Sequence, residues 1–193
     1  MAGLRAKVLG LTEVYRGWST VSMAEVETDR GTHIRRQVED HGHAVAVLPY
    51  DPERRTALLV RQLRTGPLVA GDAEPYLLEA PAGMIDAGET PDAAARREAL
   101  EEVGVRPDEL VDLGLAYSCP GVSTETLRLY LAACSASDRI AAGGGLAVED
   151  EEIEVVEVGL DALAAMAGDG RIRDMKTLIL VLRLRLDQPG LFA

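Results

Sequence analysis

The chain has 193 residues, 47% apolar but only 4% aromatic, so Leu, Val and Ala must fill its core. A net charge of −12 argues against binding along a nucleic-acid backbone or on an anionic membrane, since both need a basic face. Two cysteines, Cys119 and Cys134, make no disulfide framework, and no apolar run reaches the ~18 residues of a membrane span.

Val8-Leu9-Gly10-Leu11 is too short for the apolar stretch of a secretory leader, so the chain reads as cytoplasmic. Alternating runs over Val14–Val26 and Thr32–Glu39, separated by Asp29-Arg30-Gly31, predict a hairpin. Trp18, the single tryptophan, reads as a core or interface aromatic, or as a platform on which a nucleobase stacks. Arg35-Arg36-Gln37 reads as a solvated strand face. His41 and His43 fall on one side of an extended segment and could share a metal, but no third ligand is evident and a surface turn is the simpler reading.

Ala44–Leu48 and Ala57–Val60 are continuous apolar runs suited to buried strands, with a turn at Asp51–Arg55 between them. Arg61 and Arg64 follow at a strand end, either as ordinary surface charge or as guanidinium clamps for phosphate. A loop over 66–74 leads to a strand over Tyr76–Ala80.

Gly83–Val105 organises the chain. A loop over Gly83–Glu89 runs into a helix with Thr90 as N-cap, Pro91 at its first position and Gly104 just past its end. At about 100° per residue, Glu98, Glu101 and Glu102 share one arc, with Ala99, Leu100 and Val103 opposite as the packing face. Crowded carboxylates repel one another. Hard divalent cations offset that repulsion, bridge phosphate oxygens and stabilise charge at phosphorus. A solvated acidic helix with an Arg97–Glu101 pair is the plainer alternative.

Leu110–Tyr117 and Thr126–Ala132 read as strands joined by a loop over 118–125, and both cysteines read as buried thiols in apolar-rich stretches. Gly143-Gly144-Gly145 gives freedom to a loop over 137–152 that carries Glu149-Asp150-Glu151-Glu152. Such a tetrad is usually just solvated, yet on a hinged loop it can swing onto a metal site and supply a base. Glu154–Val158 is a strand, and helices over Leu160–Ala167 and Asp174–Leu186 close the chain.

The spacing Gly83, five residues, Glu89, seven residues, Arg97-Glu98, two residues, Glu101-Glu102, one residue, Gly104 and Val105 resembles the Nudix box. Seven fixed identities arise by chance on the order of 10⁻⁸ per start position. Ala99 departs mildly, standing where the pattern prefers a bulkier aliphatic. The likeness extends over most of residues 14–186 and is similar to the ADP-ribose pyrophosphatase and GDP-mannose hydrolase branch. Pro120 resembles the proline of ADP-ribose-type enzymes, whereas Gly143–Gly145, Glu149–Val155 and Gly170–Asp174 look more like the GDP-mannose hydrolase.

The resemblance implies an α/β fold, the Nudix α/β/α sandwich with a mixed sheet. Residues 1–40 would form an N-terminal antiparallel β region for dimerisation and base contacts, and 41–193 the Nudix hydrolase domain. It implies Mg²⁺, with Mn²⁺ also suited, held by the Ala82 carbonyl and by Glu98, Glu101, Glu102 and Glu151. Glu149 would activate water and Arg64 would clamp a diphosphate, while Arg36, Gln37 and Glu125 would contact substrate. Trp18 would stack on the base within a homodimer, and Glu89 with Arg97 would form a structural salt bridge. The implied reaction is hydrolysis of a nucleoside-diphosphate sugar: ADP-ribose to AMP and ribose 5-phosphate, or GDP-mannose to GMP and mannose 1-phosphate. Two alternatives compete. Intact Glu98, Glu101 and Glu102 count against a non-catalytic nucleotide-sugar sensor, and Pro120 with the long acidic loop counts against a nucleoside-triphosphate pyrophosphohydrolase. The 118–125 loop lacks the second glycine of close relatives, which leaves the sugar open.

Overall fold

The computed structural model describes residues 5–146 and 152–192. The chain starts with three antiparallel strands, β1 (Lys7–Arg16), β2 (Thr20–Glu27) and β3 (His33–Asp40), ordered β1-β2-β3. The hairpin expected at Asp29-Arg30-Gly31 joins β2 to β3, where the Gly31 amide donates to the Thr28 carbonyl. The run read as one stretch over Val14–Val26 is instead broken by the turn at Gly17-Trp18-Ser19, because β1 begins at Lys7 and ends at Arg16. Only Ser22 and Ala24 are buried among the residues of these three strands.

A second, seven-stranded sheet is mixed. Its central path uses β4 (Ala44–Asp51), β5 (Thr56–Leu63), β8 (Val111–Tyr117), β9 (Thr126–Ala133) and β10 (Ile153–Gly159), in the order β10-β5-β4-β9-β8. All eight residues of β4 are buried, as expected of a strand covered on both faces. β4 and β5 pair only at Tyr50–Ala57 and Asp51–Thr56 and then part. The short strands β6 (Tyr76–Glu79) and β7 (Ala82–Met84) take up the freed edges, β6 along β5 and β7 along Ala44–Ala46 of β4. That split delivers Ala82 and Gly83 to the middle of the sheet, just before the glutamate helix.

Four helices complete the chain: α1 (Thr65–Val69), α2 (Pro91–Val103), α3 (Leu160–Gly168) and α4 (Met175–Asp187). α1 falls in the segment read as loop. α2 packs Ala94, Ala95 and Ala99 on Val45, Val47, Tyr130 and Ala132. Val103 joins Val60 and Val105 in a second cluster.

Two compact units emerge. One contains the chain up to His43 together with Ala116–Leu127; the other contains Ala44–Leu115 and the chain from Arg128 onward. Within the first, the Glu39 amide donates to the Val122 carbonyl and the Thr124 amide donates to the Glu39 carbonyl. The loop between β8 and β9 is thereby stitched to β3. This exposed loop holds Cys119, so the expectation of two buried thiols fails there, while Cys134 at the end of β9 is half-buried. No helix among the described residues is long and apolar enough to cross a membrane.

Candidate active site

α2 begins and ends where its residues dictate. Thr90 takes the extended N-cap conformation, although its side chain makes no cap bond, and Gly104 closes the helix at φ 74°. The buried residues are Ala94, Ala95, Glu98, Ala99, Glu102 and Val103. The packing face expected over Ala99, Leu100 and Val103 holds for Ala99 and Val103, but Leu100 is only half-buried and the buried arc widens to take in Glu98 and Glu102. The small side chains Ala94, Ala95 and Ala99 let the helix press close to the sheet, so the two carboxylates are carried into the contact. Glu98 is 7% and Glu102 1% exposed.

Each buried carboxylate has a backbone fitted to it. The Ala82 amide donates to Glu102 Oε2 at 3.1 Å. Gly83 passes so close to Glu98 that a Cβ there would lie 2.7 Å from Oε2 and closer still to Oε1. Gly83 is not at positive φ, so proximity rather than backbone freedom requires glycine.

Arg97 is the hub of the loop–helix junction. Its guanidinium donates to both oxygens of Glu89 at 3.1 and 3.0 Å, to Glu98 at 2.6 Å, to Glu101 at 3.2 Å and to the Met84 carbonyl at 2.8 Å. The Glu89 pair holds the Arg97 guanidinium above its ordinary range and the Glu89 carboxyl below its own. The Gly143–Gly145 segment is no free hinge where it is described. The Gly144 amide donates to the Glu102 carbonyl at 2.8 Å and the Gly145 amide to the Glu101 carbonyl at 3.1 Å. Two of its three positive-φ glycines thus donate to carbonyls in the last turn of α2. Glu149 and Glu151 lie outside the described residues.

A buried ionic network missed in the sequence stands behind Arg64. Glu79 is 1% exposed and receives Arg64 in bidentate form at 2.7 and 2.6 Å, plus Lys176 Nζ. Burial pushes the Glu79 carboxyl up, but these two cations outweigh it and leave the group below the ordinary value. Asp174 caps α4 through the Thr177 amide at 2.9 Å and sits 3.1 Å from Lys176. The Thr177 hydroxyl accepts from the Ala80 amide at 2.7 Å, tying α4 to the segment that leads into Ala82. Arg64, read as a phosphate clamp, is therefore first a partner of Glu79. Arg61 pairs with Glu154 at the surface. Nothing local in the sequence marks Glu79, which reads as one polar residue in an apolar strand.

In the other unit, Trp18 is 80% exposed, not a core aromatic, and its ring stacks on His41 at 4.7 Å. His41 is neither a metal partner of His43 nor a surface turn: it lies between Glu39 and Glu125, whereas His43 Nδ1 faces Thr126. Arg36 and Gln37 are exposed on β3 as expected.

Among the described residues no three His, Cys, Asp or Glu side chains already converge as a metal site. The donor chemistry nevertheless fits a hard divalent ion: carboxylates from Glu98, Glu101 and Glu102 plus a backbone oxygen at Ala82 form an all-oxygen set. The room left for the Glu98 carboxylate by the missing Cβ of Gly83 belongs to that fit.

A mixed sheet carries one helix of buried glutamates behind a glycine-bearing loop, an α/β arrangement whose oxygen donors suit a divalent ion. The NUDIX domain model matches residues 40–178, and the chain belongs to the Nudix family. It is 42% identical over 147 residues to a GDP-mannose pyrophosphatase of Citrobacter koseri, covering 76% of this chain and 75% of that one. A GDP-mannose pyrophosphatase of Yersinia pestis is 40% identical over 159 residues, covering 81% and 79%. Among solved structures, one titled as an ADP compounds hydrolase superposes with a TM-score of 0.77 over 98% of each chain at 22% identity, a likeness of fold. Nudix hydrolases generally use divalent metals.

Proposed function

We propose that this chain is a cytoplasmic, homodimeric enzyme that uses Mg²⁺ or Mn²⁺ to hydrolyse the diphosphate link of a nucleoside-diphosphate sugar. GDP-mannose and ADP-ribose are the two candidate substrates. The observation that carries the reading is the seating of two buried carboxylates on α2, Glu102 bonded to the Ala82 amide and Glu98 against the backbone of Gly83. The names of the relatives near 40% identity support the substrate class and lean towards GDP-mannose.

In this reading Glu98, Glu101 and Glu102, with the Ala82 carbonyl and Glu151, hold the ion. When bound, it neutralises the diphosphate and makes a water molecule easier to deprotonate. Glu149 takes the proton as the water oxygen bonds to one phosphorus and the bridging oxygen leaves with the other phosphate. Arg64, already oriented by Glu79, presents its guanidinium to the diphosphate. Trp18 receives the base, Arg36 and Gln37 contact the nucleotide, and Glu125 accepts from sugar hydroxyls. Support for the dimer comes from β1, whose Val8, Leu9, Leu11, Val14 and Tyr15 are all exposed, an apolar display that a second copy would cover.

The test is nucleoside monophosphate release from GDP-mannose, ADP-ribose and a triphosphate panel with Mg²⁺, beside the Glu102→Gln variant. Turnover of a nucleotide sugar that collapses in the variant is expected. Binding without release in the wild type would refute the enzyme reading in favour of a sensor.

A further inference from the structure

His41 has no part in the roles assigned so far, yet it touches two groups that do. Its Nδ1 lies 2.7 Å from Glu39 Oε1 and its Nε2 lies 3.2 Å from Glu125 Oε1. A neutral imidazole carries one N–H, so one of these contacts would set a lone pair against a carboxylate oxygen. Only the imidazolium satisfies both. The Trp18 ring stacks at 4.7 Å with an interplanar angle of 24°, which also favours a cation beneath the indole.

Two of the segments packed here bring acids, while the β1–β2 turn brings only Trp18 and Ser19. β3 contributes Glu39 and Asp40, and the β8–β9 loop contributes Glu125. His43, two positions on, is engaged by the Thr126 hydroxyl at 2.9 Å. Glu39 is fixed from behind by the Ser123 hydroxyl at 3.0 Å, and the Glu125 amide donates to that same hydroxyl at 3.1 Å. Burial pushes the His41 imidazole down, but its bonds to Glu39 and Glu125 more than offset this and leave it above the ordinary value.

We propose that His41 is a positioning residue: as the imidazolium it clamps Glu125 to Glu39 and supports Trp18, so that one proton sets the affinity for the sugar and base of the substrate. Loss of the proton turns one of the two clamped contacts repulsive, and Glu125 is free to leave the orientation that meets a sugar hydroxyl. The proposal rests on the reading of Trp18 and Glu125 as substrate contacts, and its test has an arm that does not.

Trp18 is the single tryptophan, so emission excited at the red edge of indole absorption, where the five tyrosines do not absorb, reports on this stack alone. A protonated imidazole quenches a stacked indole more than a neutral one does. Emission of the wild type should rise with pH at a midpoint above the ordinary imidazole value of about 6.5. The transition should vanish in His41→Gln, which keeps a hydrogen-bonding amide but has no charge to lose. Over the same midpoint KM for the nucleotide sugar should rise about tenfold, the scale of one charge-assisted hydrogen bond, while kcat follows a different profile. His41→Gln should start at the higher KM and lose that pH dependence.

An emission that does not titrate, or titrates unchanged in His41→Gln, overturns the proposal. So does a KM indifferent to both pH and variant. If the wild type turns over no nucleotide sugar, the functional reading fails separately; the dissociation constant for GDP-mannose, read from the same emission across pH, then decides the case for His41.

Discussion

Replacing Gly83 with alanine adds one methyl group at the point where the β7 backbone meets the Glu98 carboxylate. The methyl would lie 2.7 Å from Oε2, about 0.8 Å inside the ~3.5 Å of an ordinary contact, and the overlap with Oε1 is worse. Gly83 is not at positive φ, so alanine brings no backbone strain to confuse the result. Relief requires the carboxylate, or β7 itself, to move by roughly 1 Å. Overpacking of this kind costs about 1–3 kcal/mol, or a fall in Tm of about 2–12 °C for a chain of this length. If Glu98 holds the ion as proposed, misplacing its carboxylate by about 1 Å should cost roughly a hundredfold in kcat/KM. The assay is nucleoside monophosphate release beside a thermal melt. A variant that keeps wild-type turnover would refute the claim that Glu98 works from the place described here.

Glu102→Gln should keep the Ala82 amide bonded and stay folded, yet lose about a hundredfold or more in turnover and abolish the Mg²⁺-dependent rise in Tm. Glu79→Gln should cost about 3–5 kcal/mol, because it leaves Arg64 and Lys176 without their buried counter-charge. The Glu79 carboxyl is held below its ordinary value, so its stabilisation is complete above about pH 4.3 and is lost as pH falls through the lower folded value. Acid melts of the wild type should show that loss, and the variant should show less of it. Burial pushes the Cys134 thiol up to about 11, so alkylation at pH 8 followed by mass spectrometry should mark exposed Cys119 and spare Cys134. Leu11→Glu on the exposed β1 should convert a dimer into a monomer by analytical ultracentrifugation; a wild type that sediments as a monomer would sink the dimer.

The glutamate helix and the strands beside it were legible because their signals are local. Thr90, Pro91 and Gly104 mark the ends of α2 by helix-end preferences alone, and continuous apolar runs mark β4 and β5. The face that α2 buries was legible only in part: Ala99 and Val103 pack as expected, the two glutamates beside them do not follow. Periodicity assumes that glutamate faces water, whereas three alanines and the absent Cβ of Gly83 admit Glu98 and Glu102 to the contact. The Glu79 network escaped for a related reason: its cations arrive from β5 and α4, and no local pattern joins residues 64, 79 and 176. His41 was misread because its partner Glu125 is 84 positions away. Composition suggested freedom for Gly143–Gly145, but donors at two of these residues are spent on the carbonyls of Glu101 and Glu102.

The stitching of Glu39 to Val122 and Thr124 has an outcome for how such a protein can change its taste in substrates. A loop proposed to choose the sugar is braced by a strand some eighty positions upstream. Substitutions along β3 therefore reach that loop through its backbone bonds, far from it in sequence.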